Sequence, residues 1–389
     1  HHHADAERVV PFLTLSVANY RNLSNETIDL LAKEIFFTGE NGKGKSNLLE
    51  ALYYSAYGSS FRTRNDSEIA RKGDSDFSIR SLFREENGTS HTTAIFFEKS
   101  QKKIEKDGKI LHDRKELVNT IPCVLYNHDD LDFAVGSPER RRFFIDQSLS
   151  MYDVMYIDVM RRYKKVLKNR NLCLKEQMYQ LLETYDVQLA FNGLEIQKKR
   201  KNAIFQFNQI FGNLYEQVTG IDGVGIKYIP TWNKKSGDEK PVTIETFSTY
   251  TDSSLPEIDE VQDFMRSKRD VEKALGTTVT GPHRDRIVFV RNKESFVPMA
   301  STGQRRLIAL VLRTAQAVFY TRVTGKKPVL LMDDVLLALD PEKRKRLTTL
   351  LPEYDQLFCT FLPGEPYENY RKENTRIYKI NSGGWEETK

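Results

Sequence analysis

The residues Gly39-Glu40-Asn41-Gly42-Lys43-Gly44-Lys45-Ser46 fit the spacing G-x-x-x-x-G-K-[ST], with an apolar run before them and a helical pattern after. Glycines in such a loop let backbone N–H groups turn inward around phosphate oxygens. The helix that follows adds the positive end of its dipole. The pattern predicts an ATP site contacted by Gly39, Glu40, Asn41, Gly42, Lys43, Gly44, Lys45, Ser46 and Asn47, with Lys45 reaching the β and γ phosphates and Ser46 ligating Mg²⁺. A second group is Val329-Leu330-Leu331-Met332-Asp333-Asp334, an apolar run ending in two carboxylates. It reads as a buried parallel strand with acids at its C-terminal tip, where open α/β sheets bind ligands. Asp333 would hold Mg²⁺, directly or through water. Asp334 would orient and help deprotonate the attacking water, which makes Asp334 and Lys45 the catalytic candidates. Pro328 fits only at the first residue of such a strand.

Two further segments carry both a local and a chemical reading. Ser301 and Gln304 are spaced as a helix capping box. A Ser hydroxyl at a helix N-terminus is also an anion site, and in ABC-type ATPases such a signature contacts the γ-phosphate held by the other subunit. Ser301, Gly303 and Gln304 are therefore nucleotide-binding candidates. Asp340-Pro341 reads as an N-cap with proline at N1, and Asp340 is a further nucleotide candidate. A P-loop with a signature just before the Asp-Asp strand is the order of an ABC ATPase. The stretch from Gly39 to Ser301 is too long for the alternative, a transporter's ATPase subunit, and too short for the coiled coil of an SMC protein.

These groups need a scaffold of alternating strands and helices. Phe12 to Val17 alternates apolar and polar residues and predicts an edge strand. Ile35 to Phe37 predicts the strand before the P-loop. Leu48, Leu49, Leu52, Tyr53 and Ala56 predict the helix after it, closed by Gly58. From Phe77 to Ile110, Glu85-Glu86-Asn87-Gly88 and Asp107-Gly108 suit hairpins. From Glu139 to about Gly220, residues such as Met151, Met155, Val159, Tyr163, Val166 and Leu167 recur at helical spacing among basic runs. Residues 231–270 are polar and read as loop-rich. The expected fold class is α/β, an ABC-ATPase-like P-loop head with a mostly helical inserted domain. The expected limits are 8–132 for the first part of the head, 133–300 for the helical arm, and 301–389 for the second part with the signature and carboxylate strand.

Composition sets wider bounds. The chain has 59 Lys and Arg against 54 Asp and Glu, a net charge of +5, so only local clusters can argue for nucleic acid. No stretch approaches the roughly 18 uncharged apolar residues of a spanning helix. His1 to His3 read as the remnant of a purification tag, and the other four histidines are far apart. Cys123, Cys173 and Cys359 have neither metal-ligand spacing nor the pattern of a disulfide framework, so a zinc site is not expected and a reducing cytoplasm is. No signal peptide is visible. Arg62, Arg64, Arg71, Lys72 and the triple Arg140, Arg141 and Arg142 are candidates for DNA phosphate contacts. Arg161 to Lys165, Lys198 to Lys201 and Lys343 to Arg346 form further basic runs. No helix-turn-helix or zinc-finger pattern suggests base-specific readout.

The sequence resembles the RecF family of bacterial recombination proteins over nearly its whole length. The resemblance rests on Asn19-Tyr20-Arg21-Asn22, Gly39 to Glu50, Ser60-Phe61-Arg62-Thr63 and Asp130-Leu131. Gly136-Ser137-Pro138 running into Arg140 to Phe143, Gly281 to Asp285, Thr302 to Arg305 and Met332 to Val335 complete it. The chain departs from the family where His128-Asp129-Asp130-Leu131 replaces Pro-Glu-Asp-Leu, and where Ala338-Leu339-Asp340 replaces Glu-Leu-Asp. The resemblance implies a slow ATPase that dimerises around ATP and Mg²⁺ on single- and double-stranded DNA. It implies gap repair with RecR and RecO, help in loading RecA, and no membrane partner.

Overall fold

The computed structural model describes residues 10–233 and 255–388. The tag residues, and 234–254 of the segment read as loop-rich, lie outside that range. The chain divides into two compact units, one of residues 1–129 and 320–389, the other of Asp130–Phe319.

The first unit holds a parallel sheet because its strands are apolar without alternation. Glu34–Thr38, Cys123–Tyr126, Val329–Met332 and Gln356–Phe361 are buried at every position. Arg376–Asn381 lies parallel on the outer side of Glu34–Thr38, and Gly384–Thr388 pairs with it antiparallel as the edge. Met332 lies level with Tyr126 on one side and Cys359 on the other. Phe361 lies level with Thr38. The strand ends that precede the P-loop and the carboxylate pair therefore share one rim.

The helix Lys45–Tyr57 follows the P-loop and stops at Gly58, whose φ of 72° suits a left-handed C-cap. Its Leu48, Leu49 and Leu52 join Ile35, Phe37, Leu331 and Phe358 of the parallel sheet in one core. Phe12, Leu15, Phe77 and Ile79 of a second sheet join the same core. That sheet is antiparallel, in the order Thr27–Asp29, Phe12–Ala18, Phe77–Arg84, Ser90–Glu98, Gln101–Lys106, Lys109–Leu111. Phe12–Ala18 is thus an interior strand, not the edge strand expected. Alternation records that one face is buried and is silent on whether both edges are paired. The buried amide of Gln356 ties this sheet to the parallel one, accepting from the Phe12 N–H at 2.8 Å and donating to the carbonyls of Phe12, Leu30 and Ala32.

The second unit carries the helices Pro138–Ser150, Val154–Lys175, Leu182–Asn208, Phe211–Thr219, Ile258–Ser267 and Arg269–Leu275, and the start of Thr302–Thr324. It also has a three-stranded antiparallel sheet of Gly225–Ile229, Arg286–Arg291 and Glu294–Ser295. Ile258–Ser267 and Arg269–Leu275 are helical where loop was expected up to 270. The Glu257–Glu260 capping box starts the first of these helices, and its buried Val261 and Met265 stand one turn apart on one face, a helical spacing that the polar composition of the segment masked. Met155, assigned to the helical stripe, is 76% exposed. Part of the basic content lies inside this unit. Arg170 is fully buried, 2.8 Å from Asp186 and 2.7 Å from Glu272. Arg200 bridges Asp146 and Asp285. Buried pairs of this kind are costly to break on one side. Among the described residues no helix is long and apolar enough to cross a membrane.

Candidate nucleotide site

The P-loop leaves the strand Glu34–Thr38 through Gly39, whose N–H donates to the Phe361 carbonyl at 3.1 Å. A Cβ at position 39 would lie 2.5 Å from the Ile380 carbonyl oxygen, so only glycine allows this approach of two backbones. Gly44 sits at φ 122° immediately before the helix, and no side chain caps that N-terminus. Its first-turn N–H groups face the loop in the manner of an anion site.

The functional side chains meet at the strand rim. Ser46 Oγ donates to Asp333 Oδ1 at 2.9 Å. Lys45 is 3% exposed. Its Nζ donates to the Phe361 carbonyl at 3.2 Å and lies 3.7 Å from Asp334 Oδ1. The Asp333 N–H donates to Tyr126 O at 2.9 Å, which extends the sheet by one rung and aims the carboxylate at Ser46. Burial raises the pKa of Asp333; the Ser46 hydrogen bond opposes this, the neighbouring Asp334 adds to it, and Thr360 and Arg62 oppose it. An 8% exposed carboxylate with such a shift is poised to gain from a cation. The donors around it are oxygens, the set that suits Mg²⁺.

Two groups that motif reading did not assign complete the site. Thr360 Oγ1 lies 3.2 Å from Asp333 Oδ1 and 2.9 Å from Asp334 Oδ1. Glu50, fully buried on the P-loop helix, accepts from Tyr20 Oη at 2.6 Å, Arg21 Nε at 2.6 Å, Ser60 Oγ at 2.7 Å and Arg62 Nε at 3.1 Å. Burial would raise its pKa, but the Arg21 hydrogen bond, the charge and hydrogen bond of Arg62, and Tyr20 hold it down at about 2. Besides closing the segment Gly39 to Glu50, Glu50 stands out in the sequence as a carboxylate set among Leu48, Leu49, Ala51 and Leu52. Through it the segments Asn19 to Asn22 and Ser60 to Thr63 converge on the P-loop helix. Arg62 also donates to Asn47 Oδ1, and Asn47 donates to Asn22.

The remaining candidates are distributed. Asp340 accepts from the Lys343 N–H at 2.9 Å and caps Pro341–Thr349. Ser301 and Gln304 form the expected capping box in the second unit, with Ser301 N–H to Gln304 Oε1 at 2.9 Å and Gln304 N–H to Ser301 Oγ at 3.2 Å. A Cβ at Gly303 would meet nothing within 4 Å, so that helix start is open. In the altered loop, Asp130 is buried against Arg313, which donates to it at 3.0 and 3.1 Å.

The basic candidates divide by what they already hold. Arg64 and Lys72 are exposed. Arg71 donates to the Arg21 and Leu23 carbonyls. Arg140 lies over the rings of Phe133 and Phe143. Arg141 donates to Ile287 O at 2.7 Å and Gly136 O at 3.1 Å, and Arg142 donates to Asp285 O at 2.9 Å. Arg71, Arg141 and Arg142 thus fasten backbone within their own units, which the run of charges alone did not reveal.

The family described as RecF/RecN/SMC N terminal domain matches residues 12–384. The chain belongs to this family. The DNA replication and repair protein RecF of Treponema pallidum is 46% identical over 375 residues, covering 96% of this chain and 100% of that protein. RecF of Leptospira interrogans is 29% identical over 383 residues, covering 96% and 99%. Among solved structures, the recombination mediator protein RecF with ATP, of the RecFOR pathway, matches with a TM-score of 0.84 at 25% identity and 98% coverage of both chains. An Smc head bound to the C-winged helix domain of ScpA matches with a TM-score of 0.56 at 14% identity, covering 97% and 96%, a likeness of fold. The fold is that of a RecF/SMC-like ATPase head with mixed α/β content. The transporter alternative finds no support in these relatives.

Proposed function

We propose that this chain is an ATP-dependent DNA-binding protein of recombinational gap repair. It dimerises around ATP on single- and double-stranded DNA, and helps load RecA together with RecR and RecO in the cytoplasm. One observation carries the nucleotide part: Ser46 and Asp333, 287 positions apart, are joined at 2.9 Å on the rim where the P-loop begins. Lys45 places its ammonium against the phosphates. Ser46 and Asp333 would hold Mg²⁺, whose chemistry is to screen charge on the phosphate oxygens. Asp334 orients the attacking water and accepts its proton.

The helices between residues 133 and 300 serve as the arm, and the open start of Thr302–Thr324 serves as the signature. Ser301 and Gly303 of a second copy would complete each pocket, so the γ-phosphate favours the closed dimer by differential contact. Hydrolysis removes that contact, and slow turnover suits a switch. Arg64 and Lys72, exposed on the first unit, are available for phosphates of DNA.

The test is solution mass with ATP and Mg²⁺. The wild type is expected to shift to a dimer and Ser301→Arg to remain a monomer. Full ATP-dependent dimerisation of Ser301→Arg would overturn the dimer reading.

A further inference from the structure

The side chain that contacts both carboxylates from a neighbouring strand is Thr360. It is 3% exposed, one residue from the end of Gln356–Phe361. Its hydroxyl oxygen accepts from the Asp334 N–H at 2.9 Å. A hydroxyl has one proton to give, and three acceptors surround it: Asp334 Oδ1 at 2.9 Å, Asp333 Oδ1 at 3.2 Å and Met332 O at 3.5 Å. Asp333 Oδ1 already accepts from Ser46. The shortest geometry directs the proton to Asp334 Oδ1, whose other partner, the Lys45 ammonium, stands further off at 3.7 Å.

Asp334 is therefore held twice by one residue, at its N–H and at its carboxylate. The hold has a purpose in the backbone. Asp334 sits at φ 54° and ψ 18°, a left-handed conformation uncommon for a residue with a Cβ. Without Thr360 the carboxylate would lose its hydrogen bond and keep the Lys45 ammonium at 3.7 Å, which fixes its direction less closely. Threonine suits the task because a β-branched residue in a strand has a stiff χ1, so the hydroxyl direction is fixed. The next residue supplies the carbonyl that receives Lys45.

We propose that Thr360 is the positioning residue for hydrolysis: it sets the orientation of Asp334, while nucleotide affinity stays with the P-loop. This rests on the reading of Asp334 as the group that orients water. The experiment compares wild type, Thr360→Val, Thr360→Ser and Asp334→Asn by steady-state ATP hydrolysis and by nucleotide affinity with a fluorescent ATP analogue. Thr360→Val keeps the shape and removes the hydroxyl. Its kcat is expected to fall about ten- to a hundredfold, since misplacing a reacting group by an ångström costs on that order. Its nucleotide affinity is expected to remain close to wild type, and Thr360→Ser to recover most of kcat. Should Thr360→Val not fold, Thr360→Ala is read in the same way. Wild-type kcat in the hydroxyl-free variant beside an inactive Asp334→Asn overturns the proposal and leaves the hydrolysis reading intact. Loss of nucleotide affinity with kcat unchanged also overturns it. Full activity of Asp334→Asn removes the hydrolysis reading itself.

Discussion

Substituting Glu50→Gln tests whether the buried carboxylate organises the base of the P-loop helix. The side chain keeps its shape and loses its charge, while Arg21 and Arg62 stay beside it. In the folded chain Glu50 has a pKa of about 2 against an ordinary 4.5. At 1.36 kcal/mol per unit, that difference corresponds to about 3 kcal/mol of stability. A depressed carboxylate contributes all of this above its unfolded pKa and loses it as the pH falls through the folded one. Glu50→Gln is therefore expected to cost about 3 kcal/mol at neutral pH. The difference from wild type is expected to shrink between pH 4.5 and 2, as wild-type Glu50 itself takes up a proton. Urea denaturation followed by Trp385 fluorescence in a Trp232→Phe background reads the correct unit, because Trp385 packs against the core that contains the P-loop helix. A loss under about 1 kcal/mol, the range of an exposed pair, would refute the reasoning. So would a loss equally large at pH 3 and pH 7.

The double variant Arg64→Ala, Lys72→Ala is expected to weaken DNA binding similarly across sequences and to lower the slope of log K against log salt by about one for each phosphate no longer neutralised. An unchanged slope by fluorescence anisotropy would remove both residues from the interface. Arg141→Ala is expected instead to destabilise the second unit by about 1–3 kcal/mol, because the Ile287 and Gly136 carbonyls lose their donor. A thermal melt at the wild-type temperature with strongly reduced DNA affinity would show Arg141 to be a phosphate ligand after all.

The P-loop, the carboxylate strand and the capping box were legible because each is specified by neighbours in sequence. Glycine and lysine spacing dictates the loop, an unbroken apolar run dictates a strand buried on both faces, and Ser301 and Gln304 reach each other within one turn. Features set by distant partners were not legible. Thr360 meets Asp334 only because Gln356–Phe361 lies beside Val329–Met332. Glu50 gathers Tyr20 and Arg62 across two connections. The hairpin turn at Lys99-Ser100 carries two positive φ angles, 51° and 61°, without a glycine to announce it. Charge runs were the least informative, since Arg141, Arg170 and Arg200 look in sequence like Arg64 and differ only in the carbonyls and carboxylates that meet them inside the fold.

The most direct test of an ATP switch is DNA affinity with and without ATP for wild type, Lys45→Met and Asp334→Asn. ATP is expected to strengthen binding by the wild type and to have no such effect on Lys45→Met. Asp334→Asn is expected to keep the ATP-promoted binding and to turn over poorly, because it retains the phosphate-binding groups and loses the one that aims the water. Equal, ATP-independent binding by all three would contradict the account.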